Sequence, residues 1–385
     1  MSEWRKVSLS EMGIVSRGKS KHRPRNDTRL YGGRYPFIQT GDIGAAGLYV
    51  TDYSQTYNEE GLAQSKLWEK NTLCITIAAN IADTALLAFP ACFPDSIMGF
   101  VPHKDVANVK YVKYCFDILK KDCQQISQGT AQDNLSWKKL STIKFPCPPL
   151  EVQNRIASIL SRYDSLIENY QKQIKLLEEA AQRLYKEWFV DLHFPGHENV
   201  KIVDGVPEGW EKMPVDSIYS IKYGKTLSTK LITPTGKYPV YGANGVIGYY
   251  DVANCNNQVV LITSRGNGSG DVLMTYHKDA FITNNSFVVS PLDDYSYCQL
   301  PFTYQFLKNA NFRAVRTGAA QPQLTNQSIH TVDVVLPSKD IIIEYCDIVS
   351  YCNKKIVILK NQIRLLTEAR DRLLPKLMSG EIKVS

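Results

Sequence analysis

Two stretches of the sequence carry apolar or aromatic residues at alternating spacings of four and three positions. The first stretch has Ile156, Leu160, Tyr163, Ile167, Tyr170, Ile174, Leu177, Ala181, Leu184 and Trp188. The second has Tyr345, Val349, Cys352, Ile356, Leu359, Ile363, Leu366, Arg370, Leu373 and Leu377, with Arg370 as its one charged member. This spacing is typical of the narrow seam of a coiled-coil helix. It predicts two long helices, and the first seam spans about 50 Å at 1.5 Å per residue.

An apolar seam must be buried against another surface, and two seams in one chain can bury each other. We therefore expect the seam residues to pair the two helices antiparallel. Such a pair would separate two globular segments of the chain in a pseudo-two-fold arrangement. The alternative is that each helix packs on its neighbouring globular segment. That alternative leaves the sustained heptad period unexplained.

The remaining sequence alternates short β-type runs with turn residues. Such runs cover residues 73–77, 85–88, 259–263, 271–275 and 287–290, and Gly, Asn and Asp separate them. A more helical pattern follows in each globular segment, over residues 109–121 and 297–308. Runs of this kind predict strands bounded by turns. We expect each globular segment to be an α+β domain with a curled, mixed sheet.

The two halves of the sequence are similar to each other. WRKVSLSEMGIVSRGKS, which begins at Trp4, parallels WEKMPVDSIYSIKYGKT, which begins at Trp210. GTAQDNLS from Gly129 parallels GAAQPQLT from Gly318, and the alignment then continues without a gap through both seams. Self-similarity of this extent indicates a repeated architecture. The chain is therefore interpreted as an internal tandem repeat, in which a globular segment and a helix occur twice.

Length and composition narrow the class of protein. The 385 residues predict two or three domains, and 22 Tyr with 13 Phe exclude a mainly disordered chain. No apolar run approaches the roughly 20 residues of a membrane span, and the start MSEWRKVSLSEMG lacks the apolar core of a signal peptide. We expect a cytoplasmic protein without membrane contact.

Cysteine and histidine are placed without the spacing of a metal site. The nine Cys form no C-x-x-C pair, and the six His do not cluster. An odd number of scattered Cys is typical of reduced, buried thiols. We expect neither a disulfide framework nor a metal site.

The net charge of +7 is concentrated in one window, residues 17–34. Its basic residues are Arg17, Lys19, Lys21, Arg23, Arg25, Arg29 and Arg34, and Asp27 is its one acid. Pro24 and the low apolar content predict a loop. Such a density of cations suits contact with nucleic acid phosphates, although a solvated surface loop is the alternative. The second globular segment has sparser cations, namely Lys222, Lys225, Lys230, Arg265, Arg313 and Arg316.

Polar side chains that can recognise base edges accompany these cations. In the first segment they are Gln39, Thr40, Asn80, Gln132 and Asn134. In the second they are Asn244, Asn267, Asn284, Asn285, Gln321 and Gln323. Asn and Gln pair well with adenine and Arg with guanine. The candidate DNA-binding residues are these polar side chains and the cations of both segments named above. Arg29, Arg34 and Lys230 are not among the candidates.

Patterns of catalytic sites are lacking in the sequence. Gly13, Gly18, Lys19 and Ser20 match the phosphate-loop pattern, but KVSLSEM before them is not a buried strand and KHRPRN after them is not a helix. There is also no methyltransferase tetrapeptide, glycine-rich cofactor fingerprint, zinc-protease motif or nucleophile elbow. We expect a chain without catalytic residues.

The sequence resembles the specificity subunit of type I restriction-modification systems. The resemblance rests on GTAQDNLS and GAAQPQLT, on PLEVQNRIASIL, on the linker KEWFVDLHFPG…DGVPEGWE and on ARDRLLPKLMSGEI near the end. PSKDIIIEYCDIV at 337–349 matches the pattern of PLEVQNRIASIL less well. The resemblance implies two target-recognition domains, each for one half of a split DNA target, separated by two helical regions that pair antiparallel.

The resemblance also implies partners and cofactors. The helical regions would dock two modification subunits with adenine-N6 methyltransferase activity, and restriction subunits would join them on double-stranded DNA. S-adenosylmethionine would bind to the modification subunits, and ATP and Mg²⁺ would bind to the restriction subunits. This chain itself would bind no cofactor. The predicted domains are 1–150, 151–190 (helical), 191–209 (linker), 210–338 and 339–385 (helical). The alternatives are a scaffold with duplicated protein-binding domains and an unrecognised nuclease or methyltransferase.

Overall fold

The first part of the chain folds into short strands followed by one long helix. The computed structural model describes residues 4–78, 81–127, 135, 137–318 and 321–384. The strands are β1 (Arg5–Val7), β2 (Gly13–Arg17), β3 (Tyr31–Phe37), β4 (Tyr49–Val50), β5 (Gln55–Tyr57), β6 (Leu67–Trp68), β7 (Leu73–Thr76), β8 (Thr84–Leu87), β9 (Ala91–Cys92), β10 (Ile97–Pro102) and β11 (Phe145–Cys147). The helices are α1 (Leu9–Met12), α2 (Thr40–Ala45), α3 (Glu59–Ala63), α4 (Val109–Ser127), α5 (Trp137–Leu140) and α6 (Leu150–Tyr185).

The second part repeats this order of strands and helices. Its strands are β12 (Ile202–Val203), β13 (Val206–Pro207), β14 (Glu211–Pro214), β15 (Tyr219–Tyr223), β16 (Tyr238–Gly242), β17 (Gly245–Tyr250), β18 (Val260–Thr263), β19 (Val272–Met274), β20 (Phe281–Ile282), β21 (Ser286–Pro291) and β22 (Asp333–Leu336). Its helices are α7 (Leu300–Asn309), α8 (Asn326–Ile329) and α9 (Lys339–Met378).

Residue contacts divide the chain into two compact units. Unit 1 comprises Met1–Tyr170 and Ile363–Ser385, and unit 2 comprises Gln171–Gln362. Each unit thus contains a part of α6 and a part of α9. The domain boundaries predicted from the sequence place both helices in regions of their own, and those boundaries stay predictions.

Unit 1 is built on two mixed sheets. One has the order β2-β10-β7-β8-β4, in which β4 and β8 are parallel and the other pairs antiparallel. The other has the order β5-β3-β9-β6, in which β3 and β9 are parallel. All side chains of β7 and β8 are buried, which agrees with their continuous apolar character. Phe100 of β10 and Tyr111 of α4 share one core with Ile156 of α6 and Leu377 of α9.

Unit 2 has the same connections. The sheet β15-β21-β18-β19 corresponds to β2-β10-β7-β8, and the parallel pair β16-β20 corresponds to β3-β9. The two-stranded sheets β1-β11 and β14-β22 also correspond. The core of unit 2 joins Ile262, Phe287 and Phe302 with Trp188, which follows α6, and with Tyr345 of α9. The predicted fold class, two mixed α+β domains in a tandem repeat, is confirmed.

The long helices pair antiparallel within each unit. In unit 1, Arg370 of α9 contacts Asp164 of α6, whereas Leu377, further along α9, packs with Ile156, earlier in α6. In unit 2, Lys360 of α9 forms an ion pair with Glu178 of α6. Tyr345, earlier in α9, donates a hydrogen bond to the carbonyl of Ala181, later in α6. Every seam position is buried or half-buried. The helices also pack on the globular cores, so both packing alternatives occur together.

Several predicted boundaries differ from the structure. Helix α6 ends at Tyr185, and Trp188 lies in a wide π turn, Lys186–Val190. Helix α4 extends to Ser127, beyond the predicted end at 121. The basic window 17–34 is not a loop throughout. It begins with the last residue of β2, contains the helical turn Thr28–Leu30 and ends within β3. Strand β3 begins at Tyr31 because that residue pairs with Tyr57 of β5.

Candidate nucleic-acid interface

The basic loop of unit 1, residues 18–30, is held in place by its backbone. The N–H of Gly18 donates to the carbonyl of Ile97 at 2.8 Å, and the N–H of Lys19 donates to that of Phe93 at 3.0 Å. A Cβ at Gly18 would lie 2.3 Å from the carbonyl oxygen of Pro94, so this close approach requires glycine. These amides are therefore engaged in the fold and do not form a phosphate-binding loop.

Acidic side chains neutralise part of the basic window. Asp95 Oδ1 accepts a hydrogen bond from Arg25 Nη2 at 2.5 Å. Arg23 Nη2 lies 3.8 Å from Oδ2 of the same carboxylate. Asp27 pairs with Arg29 at 2.7 Å. Hydrogen bonds, first from Arg29 and then from His22, hold the pKa of Asp27 well below its usual range. The carboxylate is therefore ionised at neutral pH.

The cations at the start of the window differ from Arg25 and Arg29 in their surroundings. The side chains of Arg17, Lys19 and Lys21 are exposed. Within the described part of the chain, no carboxylate lies at ion-pair distance from any of these three. Arg34, at the end of the window, pairs with Glu59 at 3.2 Å. The positive charge that remains available to a phosphate is therefore concentrated before residue 22.

A cleft of about 600 Å³ opens beside this loop. Arg25 and Asn26 of the loop line it together with Gln39, Thr40 and Gln55. Phe37 also lines the cleft and stacks on the buried Tyr57 at 4.1 Å between ring centroids. The loop and the ends of β3 and β5 therefore place one cation, Arg25, and several amide side chains on one concave surface.

Three first-segment candidates lie outside the described residues, and the cleft contains residues that were not candidates. Asn80, Gln132 and Asn134 lie outside the described residues. The sequence interpretation missed Asn26, Gln55 and Ser96, which line the cleft. No local pattern marks Gln55, because only the pairing of β3 with β5 brings it opposite Phe37.

Unit 2 brings most of its candidates together at the end of β18. Ser264 follows that strand, and its N–H donates to the carbonyl of Asn285 while its own carbonyl accepts from Leu324 N–H, both at 2.8 Å. Arg265 then forms a β-bridge with Gln323. The residues that these backbone contacts join are distant in sequence, and the strand order β21-β18 makes them neighbours.

Two arginines continue this surface. Arg313 donates from Nε to Asp271 Oδ1 at 2.9 Å, and Arg316 donates from Nη1 to the carbonyl of Asn267 at 3.5 Å. An adjacent cleft of about 530 Å³ is lined by Asp271 and Arg313 together with Lys308, Asn309 and Asn311. The last three were not among the sequence candidates.

The other second-segment candidates divide by their surroundings. Asn284 is half-buried, and its Nδ2 donates to Thr226 Oγ1 at 3.3 Å while its N–H donates to the carbonyl of Lys225. Asn244 is exposed in the turn between β16 and β17. Gln321 is exposed in the segment before Gln323, and Lys222 is exposed on β15 opposite Val288. Asn284 thus helps to hold its loop, whereas Asn244 is open to a partner.

The cysteines do not supply a reactive site. All nine are free, and six of them are buried. Burial raises the pKa of Cys298 to about 12 and that of Cys346 to about 11, so both thiols are neutral. In the described ranges, no group of three or more His, Cys, Asp and Glu is arranged to hold a metal ion.

None of the helices within the described ranges combines the length and hydropathy that a membrane span requires.

The family of the chain follows from comparison with known proteins. The family model of the type I restriction modification DNA specificity domain matches residues 1–179 and again residues 207–368. These matches cover most of the sequence and begin close to the starts of the two repeats. The chain therefore belongs to the type I restriction-modification specificity family, and its two repeats are two recognition domains.

Individual relatives agree with this assignment. The type I restriction enzyme MjaIX specificity subunit of Methanocaldococcus jannaschii is 25% identical over 415 residues, which cover 99% of this chain and 94% of that protein. The EcoR124I/EcoR124II specificity subunit of Escherichia coli is 28% identical over 171 residues, or 42% of this chain and 41% of the relative. The crystal structure of a type I S subunit from M. genitalium has a TM-score of 0.63 at 19% identity, covering 97% of this chain and 96% of the other. The last comparison supports the fold.

Proposed function

We propose that this chain recognises a bipartite double-stranded DNA target and is the non-catalytic scaffold for two adenine-N6 methyltransferase subunits. Each recognition domain binds one half-site. The observation that carries the proposal is that, in both units, the fold brings cations together with amide side chains around a cleft. These are Arg25 with Asn26, Gln39 and Gln55 in unit 1, and Lys308 and Arg313 with Asn309 and Asn311 in unit 2. Family membership supports the same conclusion.

The chemistry of each cleft suits DNA. Cations such as Lys19, on the loop beside the unit 1 cleft, and Lys308, in the unit 2 cleft, contact phosphates and set the position of the domain on the duplex. Amides that line the clefts, such as Gln39 and Asn309, contact base edges. The loops that carry them stand on sheets with buried cores, and a rigid support of this kind holds side chains in the geometry that base recognition needs.

The long helices supply surface for protein partners. Outside the seams, large apolar side chains of both helices are exposed: Leu166, Leu176, Ile348, Tyr351, Ile358 and Leu365. Repeated exposure of this kind along one element marks an interaction surface. In our proposal the modification subunits bind here with their S-adenosylmethionine, and restriction subunits that use ATP and Mg²⁺ join them in the cytoplasm.

Selection from a library of randomised DNA duplexes by the purified full chain tests DNA recognition. We expect a consensus of two half-sites separated by a spacer of fixed length. Affinity should fall by about a thousandfold between roughly 50 and 200 mM salt if six or more phosphates are contacted. An affinity independent of salt, with no consensus, would instead favour a protein-binding scaffold.

Assembly and the lack of catalysis are tested separately. The chain, mixed with the modification subunit that the proposal assigns to it, should form a complex of one chain with two such subunits in sedimentation analysis. The purified chain alone, given Mg²⁺ and S-adenosylmethionine, should neither methylate nor cut DNA. Turnover that copurified with the chain would contradict a non-catalytic role.

A further inference from the structure

Two glutamine side chains that line the cleft of unit 1 form a pair. Gln39 Nε2 donates a hydrogen bond to Gln55 Oε1 at 2.7 Å, and both residues are exposed. They are separated along the chain by α2, and the antiparallel pairing of β3 with β5 places Gln55 opposite Phe37. The contact is therefore a consequence of the fold.

The backbone of both residues is fixed. Gln39 caps the N-terminus of α2, and its N–H donates to Asp42 Oδ2 at 2.7 Å. Gln55 is part of β5. A side chain that is already held by a partner loses less conformational entropy when it binds a ligand. The pair is consequently more ordered than two isolated surface glutamines.

The mutual hydrogen bond leaves most of the amide chemistry available. A glutamine amide has two N–H donors and an oxygen with two lone pairs. The bond uses one donor of Gln39 and one lone pair of Gln55, and the capping box of α2 turns the Gln39 oxygen toward the N–H of Asp42. The second N–H of Gln39 and one lone pair of its oxygen remain. An amide oxygen and N–H side by side match the N6 amino group and N7 of adenine in the major groove.

The surroundings of the pair suit a DNA duplex. Arg25 lines the same cleft, and Asp95 holds its guanidinium at 2.5 Å. Asn26 and Ser96 add further polar groups to the cleft. Because Asp95 already pairs with Arg25, phosphate contact falls to the unpaired Lys19 and Lys21 of the same loop, beside the two amides that would face a base.

We propose that Gln39 and Gln55 act as one unit that recognises a single adenine in the half-site bound by unit 1. The inference rests on the proposed function, since it requires that unit 1 binds DNA. Beyond the proposed function, it assigns a role to Gln55, which no sequence pattern marks. It also names the base that the pair selects.

Duplex selection with variants of the full chain tests this inference. Gln39→Ala and Gln55→Ala should each reduce the preference for adenine by about tenfold at the same position of one half-site, the discrimination expected of a bidentate contact. The double variant should lose little more than either single variant, because each side chain orders the other. Gln125→Ala, an exposed glutamine of unit 1 on α4 and outside the cleft, is the matched control and should keep the consensus.

A charge variant distinguishes recognition from a structural role. A carboxylate at position 39 accepts hydrogen bonds but cannot donate to adenine N7, and it suits the amino group of cytosine. Gln39→Glu should therefore shift the preference at that position from adenine to cytosine. Thermal melting of each variant establishes that it is folded.

The outcomes separate the inference from the proposed function. If the wild-type chain selects no sequence, the proposed function fails. If it selects a bipartite target and the Gln39 and Gln55 variants select the same one, the adenine inference is wrong. Uniformly weaker binding with an unchanged consensus would also overturn it, because that result assigns the pair to DNA positioning.

Discussion

Arg370 Nη1 on α9 donates a hydrogen bond to Asp164 Oδ1 on α6 at 2.7 Å within unit 1. Asp164 also accepts a hydrogen bond from the hydroxyl of Tyr114 on α4. Its side chain is 6% exposed, and that of Arg370 is 28% exposed. Although burial disfavours the charged guanidinium, its hydrogen bonds with Asp164 and Asp371 raise the pKa of Arg370 above its ordinary value. The one charged seam residue thus has a specific partner, as polar residues that set the register of paired helices do.

Arg370→Ala should destabilise the chain. The substitution leaves the Asp164 carboxylate buried without its cation, and breaking a buried pair in this way costs about 3–5 kcal/mol. Because Arg370 is partly exposed, we expect about 2 kcal/mol after allowance for solvent screening. Urea unfolding measures the difference. Arg372→Ala, at an exposed position of the same helix, should change the free energy of unfolding by less than about 0.5 kcal/mol. Equal effects of the two substitutions would contradict a role for the pair.

Removal of the free cations of the basic loop should weaken DNA binding without a change in consensus. The triple substitution of Arg17, Lys19 and Lys21 by Ala eliminates up to three phosphate contacts. The slope of log affinity against log salt should then become shallower by about 3. Titrations of a labelled duplex at several salt concentrations give this slope. Arg34→Ala is the comparison, since Glu59 already pairs with that guanidinium. It should change the slope by much less than one unit.

Shortening both long helices should change the spacing of the target. Deletion of residues 171–177 from α6 and 355–361 from α9 removes one heptad from each helix, or about 10 Å. This length equals about three base pairs at 3.4 Å per pair. Duplex selection should recover both half-sites with a shorter spacer. An unchanged spacer in a folded deletion variant would exclude the helix pair as the determinant of spacing.

The cysteines should differ sharply in reactivity toward an alkylating reagent. Burial raises the pKa of Cys123 to about 11 and that of Cys298 to about 12, so these thiols stay protonated at about pH 8. Three cysteines are only half-buried, and burial raises the pKa of one of them, Cys147, which leaves Cys255 and Cys352. Mass spectrometry after brief treatment with iodoacetamide should find the label on these two first. The buried thiols should react only after addition of denaturant, and early label on Cys298 would contradict the packing described for it.

The sequence was informative where structure depends on near neighbours. The heptad seams located both long helices, and alternation of apolar runs with turn residues located β7, β8, β18, β19 and β21. The repeat of GTAQDNLS as GAAQPQLT indicated two similar domains. The errors lie at element ends such as Tyr185 and Ser127, where packing on the globular core decides how far a helix continues.

The sequence by itself determined the class of the protein, its duplication and the residues able to contact DNA, because periodicity and residue type are local properties. Only the tertiary structure decided which side chains pair with one another and which remain available. Asp95 neutralises Arg25, Asp164 pairs with Arg370, and Gln55 lies beside Gln39. These partners are distant along the chain, and strand pairing and helix register bring them together. Neither can be derived from the spacing of residues within one element.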